Sequence, residues 1–463
     1  MAIPRLLLLL FAISLFSCQS DPASPSDKAP NLIFLLTDDQ RWDAMGAMGN
    51  PIIQTPHMDA MARQGVMFRN AYVTTAICAV SRASILSGQY MRRHGIGDFA
   101  SPFSPEAWAE TYPARLRDAG YYMGFVGKFG VGRAESMPVE TFDYWKGIPG
   151  QPVYEQTDEA GNYQHLTSIL GEQIQEFIGE APADKPFCLS VSFKAPHVQD
   201  GDPRQFLYDS AYIDLFQEVE IPQPKTADPA YWESFPDFFR TDTNEARRRW
   251  RIRFETEEKY QASVKGYYRL LYGVDVVLGE LRDRLEQEGL ADNTVIILMG
   301  DNGFYLGEHG LAGKWYGHEE SIRVPLVLFD PRLPTDQRGQ TPTEIALNID
   351  IAPTLLSLAG LEVPKKMQGQ NLLSILDGSA TPWRESFYYE HLFGYNNKIP
   401  RLEGVVTPDW KYMRYIDPTP AYEQLFQTSS DPHETQNLAL ESAHEEQLNQ
   451  MRAMYEDWKK KAE

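Results

Sequence analysis

The stretch "NLIFLLTDDQ", Asn31–Gln40, decides the fold. Its first six residues form a nearly continuous apolar run, as expected of a strand buried on both faces of a sheet. The run stops at Thr37-Asp38-Asp39. Three other runs end in the same manner: "NTVIILMG" at Asp301-Asn302-Gly303, "YYMGFVG" at Lys128 and "PFCLSVSFKAP" at His197. An Asp after a single strand is ordinarily a turn residue or a helix cap. Four polar or ionisable groups, each at the carboxyl end of a strand, point instead to one ligand-binding edge. Between them the chain alternates short apolar runs with longer amphipathic stretches, the pattern of an α/β protein.

The donors at this edge have a definite character. Asp38, Asp39, Asp301 and Asn302 offer oxygen only, which suits a hard cation, and Ca²⁺ tolerates irregular geometry better than Mg²⁺. Zinc would call for nitrogen or sulfur.

A second stretch, "CAVSRASILSGQY" (78–90), reads as a helix with Cys78, Ser81 and Arg82 on one face. A helix start with a guanidinium fork suits a phosphate or sulfate. The plainer alternative is a small buried cysteine. Beside Arg82 the thiol is expected to be acidic. Cys188, within an apolar run, reads as buried packing.

A net charge of −21 over 463 residues argues against a nucleic-acid binder. Residues 1–17 read as an export signal, too short to span a bilayer comfortably. "LFSC", ending at Cys18, resembles a bacterial lipobox, so Cys18 is the expected lipidation site. Residues 18–29 are polar and proline-rich, as in a flexible tether. The expectation is an exported lipoprotein anchored to the membrane, at the cell surface or in the periplasm. Residues 30–360 read as one α/β domain and 361–463 as a smaller subdomain of antiparallel sheet plus helix. His391 and Arg401, in "EHLFGYNNKIPR", are placed to reach a substrate.

These residues resemble the type I sulfatases of the alkaline phosphatase superfamily. Cys78, Ser81, Arg82, Leu86, Ser87 and Gly88 match the signature. "SFKAPH", "GDNGFYLGEHGLAGKW", "EESIRVPLVLFDP" and "SSDPHETQNL" follow in the family's order over nearly the whole mature chain. The resemblance implies an alkaline phosphatase-like sheet, a catalytic domain over 30–360 whose active site residues 361–463 close, and a formylglycine made from Cys78 by a maturation enzyme. It further implies one calcium ion held by Asp38, Asp39, Asp301 and Asn302. Arg82 would hold the hydrated aldehyde, Lys128 and Lys314 would bind sulfate, and His197 would protonate the departing alkoxide of a sulfated oligosaccharide or polysaccharide fragment. Val80 replaces the signature proline, and Gly130 stands where the family often has a histidine. His94, His318 and His309, the last also counted among the substrate-binding residues, are the candidates to replace it.

"EARRRWRIRF" (245–254) reads either as a sulfated-sugar site or as a helix face whose arginines pair with nearby acids. Rival functions are a phosphodiesterase or phosphonate monoester hydrolase of the same superfamily, and an unconverted lipoprotein that binds sulfated glycans. The extra histidine and aspartate ligands of a two-zinc phosphatase are not evident.

Overall fold

A computed structural model describes residues 28–379 and 382–463. The export signal, Cys18 and most of the tether lie outside the described residues. The centre is a seven-stranded sheet: β1 (Asn31–Asp38), β2 (Val66–Met67), β3 (Tyr122–Lys128), β4 (Tyr144–Ile148), β5 (Phe187–Pro196), β6 (Thr294–Gly300) and β7 (Leu326–Phe329). Their spatial order is β2-β7-β6-β1-β5-β3-β4. The run from β6 to β4 is parallel, whereas β7 is antiparallel to both β6 and β2.

The apolar character of β1 follows from its place at the middle of this sheet. Leu32, Phe34 and Leu36 enter the core on one face, and Ile33 and Leu35 enter the core on the other. Each such buried side chain is worth roughly 1.5–3 kcal/mol over leaving it in water. The second face is covered by α1 (Pro56–Gln64), α4 (Leu166–Glu180) and the long α6 (Glu257–Gln287). The first is covered by α2 (Cys78–Ser87), α3 (Tyr112–Asp118) and α7 (Ile351–Leu358). Every residue of α2 is buried, which explains its small side chains. Gly88 closes it at φ +66, a left-handed conformation that costs glycine nothing.

The strand order settles why four chemistry-bearing ends converge. Asp38, Lys128, His197 and Asp301 leave β1, β3, β5 and β6, which are adjacent and parallel.

The remainder forms an antiparallel sheet of β8 (Phe387–His391), β9 (Leu402–Val406), β10 (Lys411–Tyr415) and β11 (Tyr422–Phe426), followed by α8 (Glu445–Lys461). Tyr388, Val405, Met451 and Tyr455 share one continuous core with Val80, Ala83 and Leu86 of α2. Buried Lys411 bridges Glu319 at 2.8 Å and Glu434 at 2.7 Å, tying this sheet to the segment before β7.

Candidate active site

The chain turns sharply at the end of β1. Asp39 has φ +70, a left-handed conformation that costs a non-glycine residue about 1–2 kcal/mol. The surroundings hold it there: its N–H donates to Asp301 Oδ1 at 3.1 Å, and its carbonyl accepts from Tyr267 Oη at 2.8 Å. The Asp301 N–H in turn donates to the Thr37 carbonyl at 2.9 Å. Asn302 Nδ2 donates to Asp39 Oδ1 at 2.6 Å.

Three cations face these carboxylates. Arg82 Nε donates to Asp301 Oδ2 at 3.0 Å, and its Nη1 donates to the Lys128 carbonyl at 2.8 Å and to Ser192 Oγ. Lys128 pairs with Asp38, and Lys314 pairs with Asp39. His197 Nδ1 lies 2.7 Å from the Val198 carbonyl and donates to it, so Nε2 accepts from Gln151 Nε2 at 3.4 Å and lies 3.6 Å from Asp39 Oδ2. The His197 carbonyl accepts from Tyr154 Oη at 2.6 Å.

The charges act on one another strongly in so buried a place. Burial drives Asp38 upward, but Lys128, His197, Arg82 and Lys314 outweigh it and hold its carboxyl well below the usual range. Asp301 moves the other way, raised by burial and by the charge of Asp38. Burial opposes the charge on Lys314, yet Asp39 and its neighbours leave its pKa raised. His197 is pushed down to about 4 by burial, against the pull of Asp39 and Asp38. Cys78 departs from expectation. Burial pushes its thiol up, and the pull of Lys128 and Lys314 does not reverse that, so the unmodified thiol is no ready nucleophile.

The oxygen donors fit a hard cation. Asp38 Oδ1, Asp39 Oδ2 and Asn302 Oδ1 are buried with no hydrogen-bond partner among the described residues. Orphaned buried oxygens are costly without a partner, and a Ca²⁺-type ion would satisfy all three and relieve the repulsion between carboxylates. Asp38, Asp39 and His197 each offer an atom within 4.8 Å of the others. Asp301 is engaged by Arg82 and the Asp39 N–H but retains lone pairs for a shared role.

The structure thus brings together Asp38, Asp39, Asp301, Asn302, Arg82, Lys128, Lys314 and His197, with Cys78 at the first turn of α2 in their field. Ser81 goes elsewhere and accepts from Asn348 Nδ2 at 2.9 Å. His309 stacks on His318 at 4.5 Å between ring centroids and faces Tyr231 and Phe235. His318 meets Tyr305 Oη at 2.6 Å, and His94 meets Ser84 Oγ at 3.0 Å. None of these contacts brings a histidine to the carboxylate cluster. Gly130 has φ +76, and a Cβ there would lie 2.8 Å from Arg82 Cδ. His391 is wholly buried, its Nε2 donating to the Phe393 carbonyl at 3.0 Å, and Arg401 pairs with Asp417.

Sequence reasoning did not single out Ser192, Gln151 or Tyr154. Ser192 opens the "SFKAPH" stretch of β5 and the other two sit in a loop without a motif, and only the packing shows that they brace Arg82 and His197.

A cation cradle of oxygens, two buried lysines and an arginine at the carboxyl edge of an α/β sheet define a hydrolase of anionic esters. The family model described as Sulfatase matches residues 30–361, and one described as N-sulphoglucosamine sulphohydrolase, C-terminal matches residues 307–461. The chain belongs to the sulfatase family. It is 29% identical to an N-acetylglucosamine-6-O-sulfatase of Bacteroides thetaiotaomicron, over 98% of this chain and 90% of that protein. It is 28% identical to the N-acetylglucosamine-6-sulfatase of Homo sapiens, over 79% of this chain and 67% of that one. A solved sulfatase-fold structure, in complex with its substrate D-glucosamine-2-N,6-O-disulfate, superposes with a TM-score of 0.80 at 27% identity, covering 94% of this chain and 98% of the other. A phosphonate monoester hydrolase from Silicibacter pomeroyi shares the fold, with a TM-score of 0.78 at 20% identity over 94% and 96% of the two chains.

Proposed function

We propose that this sulfatase removes an O-sulfate group from a sulfated sugar, with a nucleophile made from Cys78 and one calcium ion held by Asp38, Asp39, Asp301 and Asn302. The observation that carries this reading is the convergence of three unpartnered buried oxygens, two buried lysines and Cys78 in one place. The sugar rests on the relatives, which are named for N-acetylglucosamine 6-sulfate, so a 6-O-sulfated hexosamine is the first substrate to try.

Formylglycine at position 78, produced by a maturation enzyme, would supply a hydrated aldehyde: one hydroxyl would displace the sugar oxygen from sulfur, and the other would expel sulfate as the aldehyde re-forms. Calcium supplies positive charge to offset that of the sulfate. Lys128 and Lys314, fixed by Asp38 and Asp39, bind sulfate oxygens. Arg82, fixed by Asp301, the Lys128 carbonyl and Ser192, holds the group at position 78. His197 keeps its Nδ1 proton on Val198 and presents Nε2 to the leaving oxygen. The histidine is neutral in the free site near pH 7, and a bound sulfate raises its affinity for the proton it then delivers.

The protein is proposed to work outside the cytoplasm, anchored through lipid at Cys18, with residues 361–463 as the subdomain over the site. Turnover of 6-O-sulfated and other sulfated mono- and disaccharides, set against a phosphonate monoester, tests the function. Release of sulfate from a sugar supports it, and turnover of the phosphonate alone overturns it.

A further inference from the structure

The arginine-rich helix α5 (Glu245–Arg253) serves two ends. Exposed Arg248 pairs with buried Glu245 at 2.6 Å, and Arg251 pairs with exposed Asp242 at 2.8 Å. Arg249 and Arg253 lie one turn apart and meet a single carboxylate, that of Asp200. Arg253 Nη2 is 3.5 Å and Arg249 Nη1 3.7 Å from Asp200 Oδ1. Both separations exceed a hydrogen bond, so the arginines attract the carboxylate without saturating it.

Asp200 lies in the field of the site's charged groups. It follows His197 by three residues, and Arg249, His197, Arg253 and Lys314 hold its pKa down against burial. If His197 faces the leaving oxygen and Lys314 the sulfate, as proposed above, Asp200 would lie beside the bond between them. Its side chain is 51% exposed, while that of Arg253 is 1% exposed and carries an Nη1 with no partner among the described residues. Arg249 is held from behind: its Nε donates to Glu245 at 2.7 Å, and its guanidinium lies 5.2 Å from the ring centroid of Trp315, the neighbour of Lys314. Trp315 has φ +96, a strained conformation for a bulky residue, which is the mark of a functional constraint.

Resting on the sugar reading above, we propose that Asp200 and Arg249 are specificity-determining residues. Asp200 accepts from, and Arg249 donates to, the free ring hydroxyl nearest the sulfate ester. On a 6-O-sulfated hexosamine this is the 4-hydroxyl. A sugar that lacks that hydroxyl leaves a carboxylate and a guanidinium without partners, and one that carries a second sulfate there meets the charge of Asp200.

The test is a cycle of two enzymes and two substrates, with the full-length mature enzyme. Wild type and Asp200→Asn are each given a 6-O-sulfated hexosamine and its 4-deoxy analogue, and Arg249→Lys serves as a second variant. Wild type is expected to favour the hydroxylated sugar by about 10- to 100-fold in kcat/KM, chiefly through KM, the range for a charge-assisted hydrogen bond. Asp200→Asn and Arg249→Lys are expected to discriminate at least about tenfold less than wild type. If both variants discriminate as strongly as wild type, the assignment is overturned. If wild type releases sulfate from neither sugar but does so from an aryl sulfate, the sugar reading falls instead. Thermal unfolding of each variant confirms that the compared proteins are folded.

Discussion

Arg82 and Gly130 are fitted to one another: a Cβ on residue 130 would lie 2.8 Å from Arg82 Cδ and 3.5 Å from Lys128 Cε. Gly130 also has φ +76, so a side chain there meets both backbone strain and Arg82, the arginine proposed to hold the group at position 78. Gly130→Ala is expected to lower stability by about 1–2 kcal/mol and kcat/KM by about 10- to 100-fold, through displacement of Arg82. Kinetics alongside thermal unfolding check this. Unchanged kinetics would show that Arg82 has room to spare, and that a histidine could be accommodated at this position.

Cys78→Ser keeps nearly the same volume in a fully buried site, so the fold is expected to persist. Multiple turnover should fall on the order of 10³-fold or more, because serine lacks the hydrated aldehyde. Peptide mass spectrometry of active protein from its native host decides the companion question. An intact thiol at Cys78 in fully active enzyme would refute the modification.

Chelation is expected to remove activity and to lower thermal stability together, since Asp38, Asp39 and Asn302 are left with unpartnered oxygens. Restored calcium at a hundred times its dissociation constant should return about 2.7 kcal/mol. Full-occupancy zinc in the native enzyme would contradict the assignment.

His391 gives stability a pH dependence. Burial pushes it from the usual 6.5 down to about 4, only partly offset by its bond to the Phe393 carbonyl. A depressed pKa contributes stability that is present above pH 6.5 and lost as pH falls through about 4. The contribution is at most about 3 kcal/mol. His391→Gln does not titrate, so its deficit against wild type should be largest at pH 7 and shrink toward pH 4. A deficit that stays constant over this window rules the effect out.

Cys18→Ala is expected to move the protein from the membrane fraction to the soluble one. Fractionation followed by immunoblotting reads this directly, and an unchanged distribution argues against the lipid anchor.

Much of this was legible in the chain because central parallel strands have a distinctive signature. β1 and β6 are apolar along most of their length, since both faces are covered, and each ends at or just before a residue of the candidate site. The helix Cys78–Ser87 was likewise legible in its small residues and terminal glycine. The destination of individual side chains was not. Ser81 shares a helix face with Cys78 in sequence, yet its hydroxyl turns to Asn348, a partner 267 positions away. The acidity expected of Cys78 failed because a sequence shows the nearby arginine but not the complete loss of water. Of the arginines of α5, Arg249 and Arg253 meet Asp200 on a loop whose course no local pattern dictates, while Arg248 and Arg251 pair with Glu245 and Asp242.

The burial of every residue from Cys78 to Ser87 imposes an order of events. An enzyme that alters Cys78 needs this segment extended and accessible, and the finished fold offers neither. If Cys78 is modified as proposed, modification therefore has to precede closure, and the two processes would compete in time within the cell. A slower-folding variant would gain in the fraction of chains altered, and a chain that folds first is locked in its unaltered form.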